Sequence, residues 1–315
     1  MAALAVAFAG ATLDIAVDAY RVEIAAPEHQ GALVATYSLG YRIALIVTGA
    51  VALVLADHIS WQWVYRIMAA AMAIPLLMVL FAAEPDVRRV QTQGWGEGLR
   101  EGVVAPFADF FARFGWGTAA LLLLFILSMK ISDQALVGGI IGPFYLDQGF
   151  SKTEIAGVTK VYGIWVGIAG TFLGGLAVAR WGVRWPLLVA IICGAASNLL
   201  YLLLIGAQGD LGMLTLVISG ENLAQGLLGT CAVAYMSSLI NLRYTATQYA
   251  LFSSLIMLPG KVLGFYSGAI VEAYSGYAAY FWLSAVLALP AVGLFFVFHR
   301  RVLPGVDSAS PDRGG

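Results

Sequence analysis

Eleven polar side chains singled out in this sequence stand inside or at the edge of long apolar runs, and their types suit proton carriage and ion pairing rather than bond breaking. Asp14 and Asp18, together with Arg21, are spaced i, i+4, i+7 in "DIAVDAYRVE", so a helix presents all three on one face. With about 1.5 Å of rise per residue, a helix ending near Ile24 places Asp14 about 15 Å in. Asp18 is then one turn nearer the end, and Arg21 is close enough to reach water. A carboxylate in a low-dielectric cavity can take a proton at working pH. Asp14, the deeper acid, is therefore the expected carrier, with Asp18 and Arg21 as a gate or a structural pair. The structural alternative is a ladder of ion pairs in which Arg21 or Arg42 neutralises the acids. Lys130 and Asp133, at i, i+3, either pair with each other or face a cavity. Glu221 and Asn222, with Gln225 on the next turn, offer an interhelical hydrogen bond or a contact for a proton or a sugar. Arg42, Lys160 and Lys261 are cations available to an anionic ligand.

The elements that hold these residues follow from composition. Of 315 residues 61% are hydrophobic and only 11% are charged, where soluble domains carry about 25% charged residues. Mean hydropathy is +0.86. The chain is expected to be an all-α polytopic membrane protein, since helices are the open-chain way to satisfy a backbone in lipid. About nine apolar runs of spanning length are present, near 1–23, 32–55, 62–83, 116–140, 152–178, 185–206, 211–240, 247–270 and 277–298. Two breaks are expected inside them, at "GGIIGP" (138–143) and "LPGK" (258–261), which would unwind helices beside a cavity and free backbone groups for a ligand. The glycines of "GIAGTFLGGLAVAR" read as a helix-packing stripe. Tyr37, Tyr41, Tyr162 and Trp165 either pack in the core or stack on sugar faces.

Charge orders the loops. Eleven arginines (Arg21, Arg88, Arg89, Arg100, Arg113, Arg180, Arg184, Arg243, Arg300, Arg301 and Arg313) fall on one side, against Lys152 alone on the other. The positive-inside rule makes the first side, and with it the C-terminus, cytoplasmic. Residues 84–115 read as a cytoplasmic linker, partly helical at the membrane surface, and 301–315 as a disordered cytoplasmic tail. Ser151 and Glu154 form a capping-box pattern that starts a helix. Cys193 and Cys231 read as small core residues, and His29, His58 and His299 are too scattered for a metal site. The first twenty residues hold no Lys or Arg, so no secretory n-region is expected. Neither a metal nor another cofactor is expected, nor is nucleic-acid binding. An enzyme is disfavoured, because no nucleophile–base constellation is present.

The loop "GLAVARWGVR" (175–184) resembles the loop motif of the major facilitator superfamily through Gly175, Arg180, Gly182 and Arg184, with Ala179 at the acidic position. "DIAVDAYRVE" with "YSLGYRIALIVTGAVALVLAD", then "MKISDQALVGGIIGPFYLDQGFSKTEIAGVTK", then "ENLAQGLLGTCAVAYMSSLINLRYTATQYALFSSL", resemble the AmpG-type muropeptide permeases. These permeases belong to the peptide/acetyl-CoA/drug transporter branch of that superfamily. The likeness runs over nearly the whole chain. On the family's register the chain corresponds to helices 4–12. Residues 1–83 are then part of an N-terminal half (helices 4–6), and 116–300 a C-terminal six-helix half (helices 7–12).

The resemblance implies a central cavity lined mainly by helices 1, 4, 7 and 10, and the buried charges fall on the corresponding runs. It implies proton-coupled import of anhydro-muropeptides, anionic sugar-peptides from cell-wall turnover, across a bacterial inner membrane by alternating access. By the same resemblance this activity is linked to β-lactamase induction. Asp14, Asp18, Asp133 and Glu221 are the proton-coupling candidates. Arg42, Lys130, Lys160, Asn222, Gln225 and Lys261 are the substrate-binding candidates. The partners expected are that small-molecule substrate, protons and the lipid bilayer, with the protein a monomer. Two other readings stay open: a carrier of the same branch for acyl-CoA or a drug, and a fragment without helices 1–3 that does not transport.

Overall fold

Backbone amides in lipid need internal partners, and helices provide them over most of the described residues. The computed structural model describes residues 2–25, 29–56, 58–84, 96–97, 100–137, 140–274 and 276–299, and among these there is no strand. The chain begins with α1 (Ala2–Glu23) and α2 (Gln30–Leu45), which runs on through a π turn at Ile46–Val51. Next come α3 (Trp61–Phe81), α4 (Ala105–Phe114) and α5 (Trp116–Ser128). A turn at Met129 and Lys130 leads to α6 (Ile131–Val137), followed by α7 (Ile141–Asp147). The last five are α8 (Thr153–Trp181), α9 (Arg184–Leu204), α10 (Leu211–Leu239), α11 (Thr245–Ala273) and α12 (Tyr277–Val297).

Among the described residues, each of the nine apolar runs is mostly helical. Six of the described helices are long and apolar enough to cross a membrane, or seven if a bent pair counts as one span. In that pair 100–114 meets α5 at 109°. Gly115, at φ +73°, makes the corner in a backbone region that favours glycine. The run 116–140 is thus two helices instead of one, parted at Lys130.

"GGIIGP" lies at a second interruption, between α6 and α7, although Gly138 and Gly139 themselves are outside the described residues. Tyr280 donates its hydroxyl to the Ala135 carbonyl at 2.5 Å just before this point. The expected break at "LPGK" is not there: α11 continues through Pro259 for its full 29 residues. Proline removes one amide from the helix and leaves the rest intact. Gly260 answers a different need, because a methyl group there would strike Gln134 of α6.

The tightest seam joins α8 to α10. A methyl group on Gly170 would meet the Leu223 backbone, and one on Gly226 would meet the Gly167 carbonyl and the Thr171 amide. Main chain lies directly on main chain, as the glycine stripe suggested. Thr230 closes the seam by donating to Gly226 O at 3.0 Å and Thr171 O at 3.2 Å. On the other side of α10, buried Asn198 of α9 donates to the Ser132 carbonyl at 2.9 Å and to the Ser284 hydroxyl at 3.1 Å. Aromatic residues fill the space between the helices, with Phe110, Phe125 and Phe252 in one cluster and Phe144, Tyr201 and Phe281 in another. Cys231 is buried and Cys193 half-buried, both as free thiols in apolar surroundings.

The Ser151–Glu154 box forms as expected, with Ser151 N donating to Glu154 Oε2 at 2.8 Å and Glu154 N to Ser151 Oγ at 3.3 Å. A polar knot ties α4 to the α10–α11 junction. Gln248 donates to Asp109 Oδ2 and to Pro106 O, both at 3.0 Å, and accepts from Asn241 N at 2.8 Å. Arg113 joins it through Asp109 at 2.9 Å and the Leu239 carbonyl at 3.1 Å.

Candidate substrate cavity

The N-terminal helices lean on the C-terminal ones along two lines, α1 against α11 and α2 against α8 and α10. Between those lines lies a cavity of about 430 Å³. This is within the range of small-molecule sites, which run from about 300 to 1,000 Å³. α1 contributes Asp18 and Arg21 to its wall, α2 contributes Tyr37, Ser38 and Tyr41, and α10 contributes Gln225. Lys130 and Asp133 come from the α5–α6 junction, and Tyr249 from α11.

Helical spacing decides which α1 residues reach this wall. Asp18 and Arg21 stand at i, i+3 and approach to 3.7 Å between Asp18 Oδ1 and Arg21 Nε. Arg21 is 5% exposed, a depth at which a charge needs partners. Its Nη1 donates to Gln30 Oε1 at 2.9 Å, and its Cζ lies 5.3 Å from the centroid of the Tyr249 ring. Cations at this distance are attracted by an aromatic face. Gln30 also caps α1, its amide donating to the Ala25 carbonyl at 3.0 Å and the Val22 carbonyl at 3.2 Å. On the far wall Lys130 Nζ and Asp133 Oδ2 pair at 3.2 Å, with only 11% and 8% of their side chains exposed.

Four of the ten proton-coupling and substrate-binding candidates therefore meet at one cavity, Asp18, Lys130, Asp133 and Gln225, together with Arg21, Tyr37 and Tyr41. Asp14, Glu221, Asn222, Lys160 and Lys261 are not in its wall. Asp14 is exposed on α1, one turn beyond Asp18. Glu221 and Asn222 are half-buried on α10, where Asn222 donates to Glu221 Oε2 at 2.8 Å and to the Ile218 carbonyl at 3.1 Å. Lys160 is exposed on α8 and Lys261 on α11. Arg42 is on α2, and its side chain lies outside the described part of the chain. Tyr162 donates to or accepts from Ser219 at 2.8 Å, away from the cavity wall.

Of the loop motif, Gly175 is buried in α8 and Gly182, at φ +71°, ends that helix. Arg180 is exposed with its Cζ 5.8 Å from the Trp181 ring centroid, and Arg184 opens α9. Among the residues that sequence reasoning missed are Ser38 and Tyr249 in the wall and Gln30 behind it. Tyr249 stands inside the "TATQYA" segment, which was already distinctive. Gln30 gave no signal beyond its place at the start of an apolar run.

Helices arranged about a polar, half-open cavity describe a polytopic membrane transporter. The sequence profile of the Major Facilitator Superfamily matches residues 1–260. Among curated proteins, one from Rickettsia felis that carries the name AmpG 4 is 32% identical, covering 95% of this chain and 72% of its own. The anhydromuropeptide permease of Escherichia coli K12 is 35% identical, covering 96% of this chain and 60% of its own. An uncharacterized protein of Haemophilus influenzae is 35% identical over 93% of this chain and 70% of its own. The chain belongs to the major facilitator superfamily, in its group of AmpG-type permeases.

Proposed function

We propose that this protein is a proton-coupled importer of anhydromuropeptides that works by alternating access in a bacterial inner membrane, with its C-terminus in the cytoplasm. The observation that carries this reading is the cavity itself, where an acid and an arginine of α1 face a Lys–Asp pair across tyrosines of α2. Its support is the 35% identity to a permease named for that cargo. The cargo is a sugar-peptide with carboxylates, and each part finds a suitable surface. Tyr37 and Tyr41, a helical turn apart, present rings for a sugar face, while Ser38 and Gln225 offer hydrogen bonds. Arg21 and Lys130 offer positive charge.

An anion moving toward a negative interior is opposed by about 2.3 kcal/mol per charge per 100 mV. A co-transported proton offsets this. We assign that proton to Asp18 in preference to Asp14, because Asp18 stands in the cavity wall and Asp14 does not. Asp133 is second, since Lys130 already holds it at 3.2 Å. Rocking of the α1–α3 group against the rest about the cavity supplies alternating access. The bias of arginine to one set of loops supports the cytoplasmic C-terminus.

The test is uptake of labelled anhydromuropeptide into vesicles that hold the full-length protein. An imposed inward proton gradient should drive accumulation in wild type. Asp18→Asn should abolish gradient-driven accumulation while cargo-for-cargo exchange continues, because exchange needs no net proton movement. Accumulation that persists in Asp18→Asn rejects Asp18 as the carrier. Absence of anhydromuropeptide uptake by wild type rejects the cargo.

A further inference from the structure

Arg21 is the most deeply buried cation described in the chain, and it is only half used. Of its three guanidinium nitrogens, Nη1 alone has a hydrogen-bond partner, Gln30 Oε1 at 2.9 Å. Nε and Nη2 are both buried and make no hydrogen bond. Such an omission is costly, because a buried charged donor left unpaired loses the full benefit of the water it gave up. Asp18 does not remedy it: its Oδ1 stays 3.7 Å from Nε, within reach of charge but beyond a hydrogen bond.

The two idle nitrogens share one edge of the guanidinium plane. That edge is a fork, whose parallel N–H groups match the two oxygens of a carboxylate. The rest of the side chain is fixed. Gln30 holds Nη1 and, through the Val22 and Ala25 carbonyls, also the end of the helix that carries Arg21. The Tyr249 ring covers the guanidinium at 5.3 Å. Arg21 lines the 430 Å³ cavity, although Nε and Nη2 themselves are shut off from it in this conformation, so a ligand reaches that edge only when a covering side chain moves aside. A fork already held in place loses little freedom when it is filled.

We infer that the Nε/Nη2 edge of Arg21 is a docking point for a carboxylate of the transported molecule, with Gln30 and Tyr249 as its positioning residues. This inference rests on the muropeptide reading above and goes further, because it names the group on the cargo that is recognised and the atoms that recognise it. It separates Arg21 from Lys130. The lysine already pairs with Asp133 and offers a point charge, whereas Arg21 holds a bidentate edge that no protein hydrogen bond fills.

The experiment measures dissociation constants for purified full-length protein in lipid nanodiscs with two pairs of probes. The first pair is an anhydromuropeptide with free carboxylates and the same molecule with those groups amidated. Wild type should favour the acid by about tenfold or more, the scale of one charge-assisted hydrogen-bond pair. Arg21→Gln should bring that preference close to one while changing the amide's affinity by no more than about twofold. Arg21→Lys, which keeps the charge without the fork, should recover only part of the preference, and it stands in where Arg21→Gln fails to fold. A preference that survives Arg21→Gln, equal loss of both probes, or full recovery in Arg21→Lys overturns the inference.

If wild type binds neither muropeptide, the cargo reading fails and the second pair decides the fork. That pair is N-acetylalanine and N-acetylalaninamide. Acid binding by wild type that disappears in Arg21→Gln upholds the carboxylate dock, and identical behaviour of the two proteins rejects it.

Discussion

Gln30 shows how much of this site depends on residues with no charge. Its side chain is 4% exposed, anchors Arg21, and satisfies carbonyls at the end of α1 that no helix amide can reach. Gln30→Ala should therefore destabilise the protein by about 1–3 kcal/mol, the usual cost of leaving buried hydrogen-bonding groups unpaired. Thermal unfolding in detergent against wild type measures it. The acid-over-amide preference should fall in the same variant, since Arg21 is then free to swing. Polarity made the rest of the cavity wall legible: Asp18, Lys130, Asp133 and Gln225 stand out in an apolar sequence because their burial needs a reason. Depth along one helix was a poorer guide. It favoured Asp14, whereas the cavity wall is set by which helices flank α1, and that puts Asp18 there. Glu221 and Asn222 stand outside this cavity wall on α10, where Asn222 donates to Glu221.

At the scale of elements, the α8–α10 seam makes a sharp prediction. Gly226→Ala drives a carbon into the Gly167 and Thr171 backbone, where nothing flexible can give way. A loss of about 1–3 kcal/mol is expected from such overpacking. Gly229→Ala is the control, because its added methyl group meets nothing within 4 Å and the interior of α10 gains about 0.5–1 kcal/mol. Comparing the two melting temperatures in one detergent separates packing from helix propensity. The seam could be read from spacing, since glycines three and four apart in an apolar run serve little else. "LPGK" could not. A Pro–Gly pair looks like a break, and only the position of Gln134 shows that Gly260 makes room for a neighbour. The Met129–Lys130 turn was likewise hidden, as neither residue is a helix breaker and the run around it is strongly apolar.

The molecule as a whole has two kinds of joint. Where α1 meets α11 and α2 meets α8, the contact passes through side chains such as Arg21 and Tyr249, which have rotamers to change. The polar knot around Gln248 binds α4 to the α10–α11 junction, so the segment ahead of α5 goes wherever the C-terminal helices go. Cargo binding should therefore change distances across the first kind of joint. Spin labels at Ile15 of α1 and Leu258 of α11, both on exposed surface, should report a shift on addition of anhydromuropeptide. An unchanged separation there would count against alternating access about this cavity. The α8–α10 seam behaves otherwise. Its width is fixed at Gly167, Gly170 and Gly226 by peptide groups in contact, with no side chain between them there to repack. A label pair at Leu176 and Leu216 thus spans a length that cargo, protons and voltage should all leave alone, which gives the molecule its own built-in calibration bar for every other distance measured in it.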